Sequence, residues 1–342
     1  MEYNFKDKTI LVTGGVGSIG SALVKKLIKQ DPRSIRILDI DENNLFEFGQ
    51  KNIKENVRTF VGDIRDKERL NRAMKGVDVV FHAAALKHVP LCEYNPFEAV
   101  KTNVIGTQNL IETAIDENIE KFITISTDKA VNPVNVMGAT KLLSERLTIS
   151  ANTYKGDSDT KFSCCRFGNV MNSRGSVIPL FVNQIRSNKK ITITDKLMTR
   201  FMMTLENATK LVLNVGEISS GSEIFILKMH TLRIVDLAEA IITILSEKEN
   251  ISYDKEIEYI GPRPGEKLNE KLITSIENAH CYESDDMYMI LPIENGNYID
   301  KVPIPKGFRK TASLLQSSEK TKLLTKEEII KIVEKMELQV PY

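Results

Sequence analysis

No stretch of the chain approaches the run of about 20 apolar residues that would cross a bilayer as a helix, so nothing marks a spanning segment. Net charge is nearly missing as well. Lys and Arg total 47 against 46 Asp and Glu, which leaves +1 and no electrostatic reason to expect nucleic acid or an anionic membrane as a partner. Cysteine is sparse: Cys92, Cys164, Cys165 and Cys281 show no C-x-x-C spacing. Adjacent Cys164 and Cys165 inside an apolar run suit neither a disulfide framework nor a redox or metal role, and all four read as buried thiols. With four histidines and no H-x-x-x-H spacing, no metal site is expected. The opening MEYNFKDKTILVTGG leaves no room for a basic, apolar and cleavable signal. The expectation is a soluble, cytoplasmic protein with no nucleic-acid or membrane partner.

What is present is an ordinary globular composition, 42% hydrophobic and 27% charged over 342 residues, enough for one large α/β unit or two interlocked lobes. Over the first 170 residues, short apolar runs alternate with stretches at helical spacing. The runs predict strands at Thr9–Thr13, Ser34–Asp39, Val57–Val61, Asp78–His82, Phe122–Ser126 and Lys161–Phe167. The stretches between predict helices at Ile19–Lys29, Glu42–Lys54, Lys67–Met74, Pro96–Glu117 and Asn135–Tyr154. That is the form of a doubly wound parallel sheet, a Rossmann α/β fold. After Gly168 the pattern turns irregular. Residues 1–170, with late strands from about 190–235, are expected to form the Rossmann domain, and 171–342 a smaller, interleaved C-terminal lobe. The last helix, Lys326–Lys335, opens at a capping box of Thr325 and Glu328 and reads as structural.

Gly14, Gly17 and Gly20 lie in TGGVGSIG between the first strand and its helix, where backbone N–H groups and a helix N-terminus can face a pyrophosphate. Ser18 and Ile19 belong to the same turn. Asp39 ends the second strand nineteen residues after Gly20, where a carboxylate accepts from ribose hydroxyls and repels a 2′-phosphate, so NAD is expected over NADP. Asp63 and Ile64 in VGDIRD suit the adenine, and Ala83 and Ala84 after the fourth strand complete the expected cofactor set. The bland alternative is that the glycines only tighten a turn and Asp39 only caps a helix. Strand, spacing and acid in register favour the dinucleotide.

Thr127, Asp128 and Lys129 emerge together at the carboxyl end of the fifth strand, where ligands of such sheets bind. Met137 and Lys141 follow, four apart on one helix face. TGGVGSIG, HAAALKHVP, STDKAVNPVNVMGATK, RFGNVMNSRGSVIP, MTRFMMTLENA and RPGEKLNE together resemble the extended short-chain dehydrogenase/reductase superfamily, and within it the UDP-N-acetylglucosamine 4,6-dehydratases of capsule and flagellin glycosylation. The resemblance spans about Lys8 to Leu272. It implies oxidation at carbon 4 of the hexose, loss of water across carbons 5 and 6, and return of the hydride to carbon 6. It also implies Asp128 as acid, Lys129 as base, Thr127 as holder of the carbonyl-forming oxygen, and Lys141 on the nicotinamide ribose. An amine serves as base only when neutral, so Lys129 is expected to carry a lowered pKa. Met137 departs from the superfamily pattern, since it occupies the position of the usual tyrosine base and cannot accept a proton. Asp128, Lys129 or a water held by Lys141 is left to deprotonate the carbon 4 hydroxyl. By resemblance, Met137 leans towards retention at carbon 5, and the chain looks like the soluble catalytic form.

On the substrate side, Lys87 and His88 lie at the sheet's carboxyl edge and could meet the sugar or a phosphate, His88 equally reading as a loop histidine. Asn169, Arg174, Arg200 and Arg263 match positions that the resemblance assigns to the UDP-sugar, and Glu266 is expected to bind ribose or order its loop. His82 reads as a satisfied core residue, and Asn103 as a brace between its helix and the catalytic strand. The resemblance further implies a homodimer, or a larger homo-oligomer, through the helices at Pro96–Glu117 and Asn135–Tyr154. Two other readings stay open: a UDP-sugar 4-epimerase, and a dinucleotide-binding regulator or inactive relative without turnover.

Overall fold

Strand β1 (Thr9–Thr13) is buried along its whole length, as an unbroken apolar run must be when helices cover both faces of its sheet. The computed structural model describes residues 5–51, 54–291, 293–294, 297–298, 303–311, 317–336 and 338. In chain order, β1 is followed by α1 (Ser18–Leu27), β2 (Ser34–Asp39), α2 (Glu42–Lys51), β3 (Val57–Val61), α3 (Lys67–Met74), β4 (Val79–His82), α4 (Val89–Tyr94), α5 (Pro96–Val100), α6 (Gly106–Asp116), β5 (Lys121–Thr127), α7 (Val136–Tyr154) and β6 (Lys161–Phe167). Next come β7 (Asn169–Val170), α8 (Val177–Arg186), β8 (Thr192–Ile193), β9 (Thr199–Met203), α9 (Leu205–Ile218), β10 (Ile224–Leu227), β11 (His230–Arg233) and α10 (Ile234–Glu249). The remainder includes β12 (Glu258–Tyr259), α11 (Ser275–Asn278), β13 (Cys281–Glu283), β14 (Met287–Ile290) and α12 (Lys326–Val333).

The main sheet runs β3-β2-β1-β4-β5-β6-β10 with every neighbouring pair parallel. Antiparallel β14, β13 and the short strand Arg309–Lys310 extend its far edge. This is the doubly wound α/β sheet expected. Strand order reverses between β1 and β4, which opens a crevice at their carboxyl ends. Ile10, Val12, Phe81 and Ile123 pack on one face with α1 and α9. Leu11, Val80 and Phe122 pack on the other with α3 and α6. A second core gathers α8, β8, β9, β11, α10 and α12; there β9 pairs with β7 and β11, and β8 with β12, outside the main sheet. Of the strands from 190–235, β10 alone joins the main sheet.

The four strands Thr9–Thr13, Ser34–Asp39, Val57–Val61 and Lys161–Phe167 have the expected bounds, and β4 and β5 differ by single residues at their ends. Two helical stretches differ more. Pro96–Glu117 is interrupted by a π-helical turn at Lys101–Ile105, whose extra residue turns Asn103 into the structure. Val89–Tyr94 forms a short helix that is too brief to show a period in sequence; Asn95, with ψ 61°, breaks it from α5. Of the stretch expected as Glu42–Lys54, helix is seen to Lys51, and residues 52 and 53 lie outside the described residues. No helix among the described residues is long and apolar enough to cross a membrane.

Candidate active site

Gly14, at the end of β1, has φ +63°, and a Cβ there would stand 2.7 Å from the Ala84 backbone. A Cβ on Gly20 would collide with the Gly14 carbonyl. The turn is therefore closed down to backbone, with Gly17 as the N-cap of α1, and it lines the crevice ahead of the N-terminus of that helix. Asp39 braces the turn: its Oδ2 accepts from Val16 N–H at 3.1 Å and its Oδ1 from Asp41 N–H at 3.2 Å. Asp63 is clasped by Arg65, whose Nε donates at 2.8 Å, and the same guanidinium reaches Glu98 at 2.7 Å. Burial works to raise Asp63, but the Arg65 hydrogen bonds and charge outweigh it, and the carboxyl sits below its ordinary value. These residues, with Ser18, Ile19, Ile64, Ala83 and Ala84, line one cavity of about 840 Å³. The lining suits a dinucleotide, with side-chain-free glycines at the turn and the Asp39 carboxylate at the end of β2.

The same cavity continues to Thr127, Lys129, Met137, Lys141 and Asn169. Asp128 lies behind its wall, fully buried. Asp128 Oδ1 accepts from Thr127 Oγ1 at 2.9 Å and from Lys129 Nζ at 3.0 Å, while Oδ2 has no hydrogen-bond partner among the described residues. Lys129 Nζ also lies 3.4 Å from Asn169 Oδ1 and 3.7 Å from Glu270 Oε1. Burial lowers the Lys129 amine, but the Asp128 and Glu270 carboxylates outweigh it, with Arg200 acting the other way, and its pKa ends raised. This runs against the lowered value that the base role calls for. Lys141 behaves differently: its Nζ donates to Ile125 O at 2.5 Å, and burial brings it down to about 8. Met137 packs with Cys92 and Ala99, so the tyrosine position is filled by an apolar side chain continuous with α4 and α5.

Lys87 and His88 line the cavity from the loop after β4, and Lys87 Nζ donates to Arg174 O at 2.8 Å. Arg174 lies over the glycine turn, its backbone N–H on Ser18 Oγ at 3.0 Å and its guanidinium on Val16 O. Arg200 and Arg263 are not among the cavity-lining residues. The Arg200 guanidinium is buried and donates to the carbonyls of Thr199, Leu268 and Lys267 at 2.8–3.0 Å, with Glu266 3.6 Å away. It clamps the loop that carries Arg263, which is exposed. Glu266 accepts from Thr194 Oγ1 and the Arg263 N–H, so it orders that loop. His82 is satisfied on both nitrogens by Thr13 and Thr107, and burial lowers it to about 3. Asn103 joins the Leu86 backbone to Thr140 of α7, which ties the β4 loop, rather than the catalytic strand, to its helix.

Three residues that sequence reading passed over stand in or behind the segments that form this site. Asn135 caps α7 through the Gly138 N–H and donates to Gly265 O at 2.7 Å. Arg166 is wholly buried between Glu145 and Glu277. Glu270 faces Lys129. Glu270 stood at the end of RPGEKLNE, and its place as the second acid of that motif was the available signal.

The profile of a family described as "Polysaccharide biosynthesis protein" matches residues 10–292. The chain belongs to that family. It is 57% identical, over 97% of both chains, to a protein of Methanocaldococcus jannaschii named an uncharacterized membrane protein. It is 45% identical to a "UDP-N-acetylglucosamine 4,6-dehydratase (inverting)" of Campylobacter jejuni, over 87% of this chain and 86% of that one. A UDP-glucose 4-epimerase of Rickettsia rickettsii is 40% identical over 95% of each. Among solved structures, Pen from Bacillus thuringiensis superposes with a TM-score of 0.90 at 41% identity, covering 98% of this chain and 99% of that one. The family's match and these relatives agree with the resemblance to extended short-chain dehydrogenases/reductases carried by the motifs.

Proposed function

We propose that this chain is a UDP-N-acetylglucosamine 4,6-dehydratase that forms a UDP-4-keto-6-deoxy-N-acetylhexosamine. The observation that carries the reading is the Thr127-Asp128-Lys129 cluster: Thr127 and Lys129 line the same cavity as the glycine turn, with Lys141, and Asp128 stands directly behind them, bonded to both. A bound nicotinamide dinucleotide would supply the chemistry that takes a hydride from carbon 4 and gives it back at carbon 6. The chain's own part is the proton chemistry. Elimination of water needs an acid for the departing hydroxyl and a base for the proton on carbon 5. At rest the pair is a carboxylate accepting from an ammonium. Moving one proton along the 3.0 Å bond from Lys129 to Asp128 yields the acid and the neutral amine together, so the two roles are two states of one shared proton. Thr127 orients Asp128 and the substrate oxygen. Met137 offers no proton at the usual tyrosine position.

The carboxylate of Asp39, at the ribose end of the cavity, supports NAD over NADP. Lys87, His88 and Asn169 are proposed to meet the sugar nucleotide, with exposed Arg263 available to its diphosphate. Arg174 is proposed to close over the phosphates from the glycine turn, and Arg200 and Glu266 to shape the Arg263 loop. Relatives named inverting support inversion at carbon 5, against the lean towards retention from Met137. The proposal includes a cytoplasmic location and a homodimer or larger homo-oligomer. The relatives named UDP-glucose 4-epimerase keep one second reading open, oxidation and reduction at carbon 4 without elimination.

The test is incubation of the purified protein with UDP-N-acetylglucosamine, without added reductant, followed by mass spectrometry and proton NMR. Loss of one water with a new methyl signal is expected, and the ring couplings report carbon 5. Unchanged mass with carbon 4 inverted would establish the epimerase. Lys129→Ala is expected to abolish product while dinucleotide stays bound; undiminished product would sink the assignment of the base.

A further inference from the structure

We propose that Glu270 is a positioning residue for Lys129, a second buried carboxylate that holds the amine beside Asp128 and keeps its proton in place in the resting site. Glu270 is only 2% exposed. Its Oε1 stands 3.7 Å from Lys129 Nζ. Its Oε2 has no hydrogen-bond partner among the described residues, and Lys267 Nζ lies 3.7 Å from it. Burying a carboxylate with an unbonded oxygen is costly unless cations stand close by. Here that arrangement is held in place from both sides. The Glu270 N–H donates to Ser318 Oγ at 3.0 Å, and its carbonyl accepts from the Ser318 N–H at 2.9 Å. A little further on, Arg166 donates to Leu272 O at 2.9 Å.

The charges that face Glu270 are Asp128 and Lys129 from the turn after β5, Arg200 from β9, and Lys267 from its own segment. Asn169 of β7 faces Lys129 without charge. Burial and Asp128 raise the Glu270 carboxyl while Lys129, Arg200 and Lys267 work to hold it down, so with Glu270 ionised two carboxylates stand among three cations. Glu270→Gln leaves one carboxylate against the same three, and the arrangement relaxes most readily if Lys129 gives up its proton. Glu270 acts through the amine and need not touch substrate. The role adds to the reading of Lys129 as the base, and it can be tested without turnover.

The experiment is trace labelling of the full chain with acetic anhydride from neutral to alkaline pH, with the Lys129 peptide quantified by mass spectrometry. Only the neutral amine reacts, so the labelling midpoint reports the proton on Lys129. In Glu270→Gln the midpoint is expected to fall by about one pH unit, and in Glu270→Asp, which keeps the charge, to return most of the way. The double variant Lys267→Met/Glu270→Gln, which removes one charge of each sign, is expected to show a smaller fall in the same direction, because Lys129 still loses its nearer carboxylate partner, and serves if the single variant does not fold. A midpoint that stays at the wild-type value in folded Gln variants overturns the proposal. Under turnover, the limb on which the rate rises with pH is expected to move down with the labelling midpoint. A midpoint that falls while that limb stays fixed supports the role of Glu270 and removes Lys129 as the base.

Discussion

Lys141 donates its buried amine to the Ile125 carbonyl, and burial brings its pKa down to about 8 from 10.5, with Glu145 and Cys164 restoring only part of the loss. The consequence for stability follows from proton counting. Below pH 8 both folded and unfolded chains carry the charge, and the folded state bears the full cost of burying it. Between about 8 and 10.5 the unfolded chain holds the extra proton, so stability rises with pH, by about 3 kcal/mol in all. Urea unfolding on either side of pH 8, at equal dinucleotide occupancy, is expected to show this rise in the wild type and not in Lys141→Met. Equal slopes would mean that the amine is not depressed. A lysine near neutrality beside the cavity is also one that can hold a water or exchange a proton with it. That gives the segment without its tyrosine a group able to titrate at the reacting end.

At the scale of elements, α7 and β6 are fastened to the start of α11 by one buried ion cluster. Arg166 donates bidentately to Glu145, at 2.9 and 2.8 Å, and to Glu277 at 2.9 and 3.1 Å. Arg166→Met leaves two buried carboxylates without a cation, and is expected to cost about 3–5 kcal/mol in chemical denaturation. Adding Glu145→Gln and Glu277→Gln is expected to recover much of that, because the penalty lies in the unpaired charges; no recovery would place the loss in packing. The cluster also marks where legibility in the sequence stops. The bounds of β1, β2, β3 and β6 could be read because each is an apolar run closed by Gly, Asp or a polar turn, and the glycine turn and Asp39 follow from local spacing alone. Arg166 was legible as a strand residue within a motif, but its two partners come from two helices, α7 and the distant α11. The same is true of Lys129. The base role implied by the resemblance called for a lowered pKa; the adjacent Asp128 raises it instead, and a second carboxylate that sequence does not place beside it, Glu270, adds to that. The π turn at Lys101–Ile105 keeps a helical apolar pattern on both sides, so the sequence carries no mark of it.

For the molecule as a whole, the question is what covers the outer side of α4, α5 and α7, which pack on one another. Tyr94 is 86% exposed, Phe97 66%, Leu91 62%, Leu143 50% and Ile105, in the π turn, 49%. Scattered apolar residues on a surface need no explanation, whereas several large ones on adjoining helices are the usual mark of an interface. The stretch that exposes Phe97 and Ile105 also supplies Glu98 and Thr102 to the cavity wall, so covering the one side would steady the other. The expected mass by light scattering is therefore at least twice that of the chain. Tyr94→Glu combined with Phe97→Glu is expected to yield a folded monomer, since neither residue lines the cavity, with dinucleotide affinity reduced several-fold through the loosened Glu98–Thr102 wall. A monomeric wild type, or a double variant that keeps its full mass, would mean that this apolar surface is not where copies of the chain meet, and the stability of the cavity wall would then have to come from α7 and Asn103 alone.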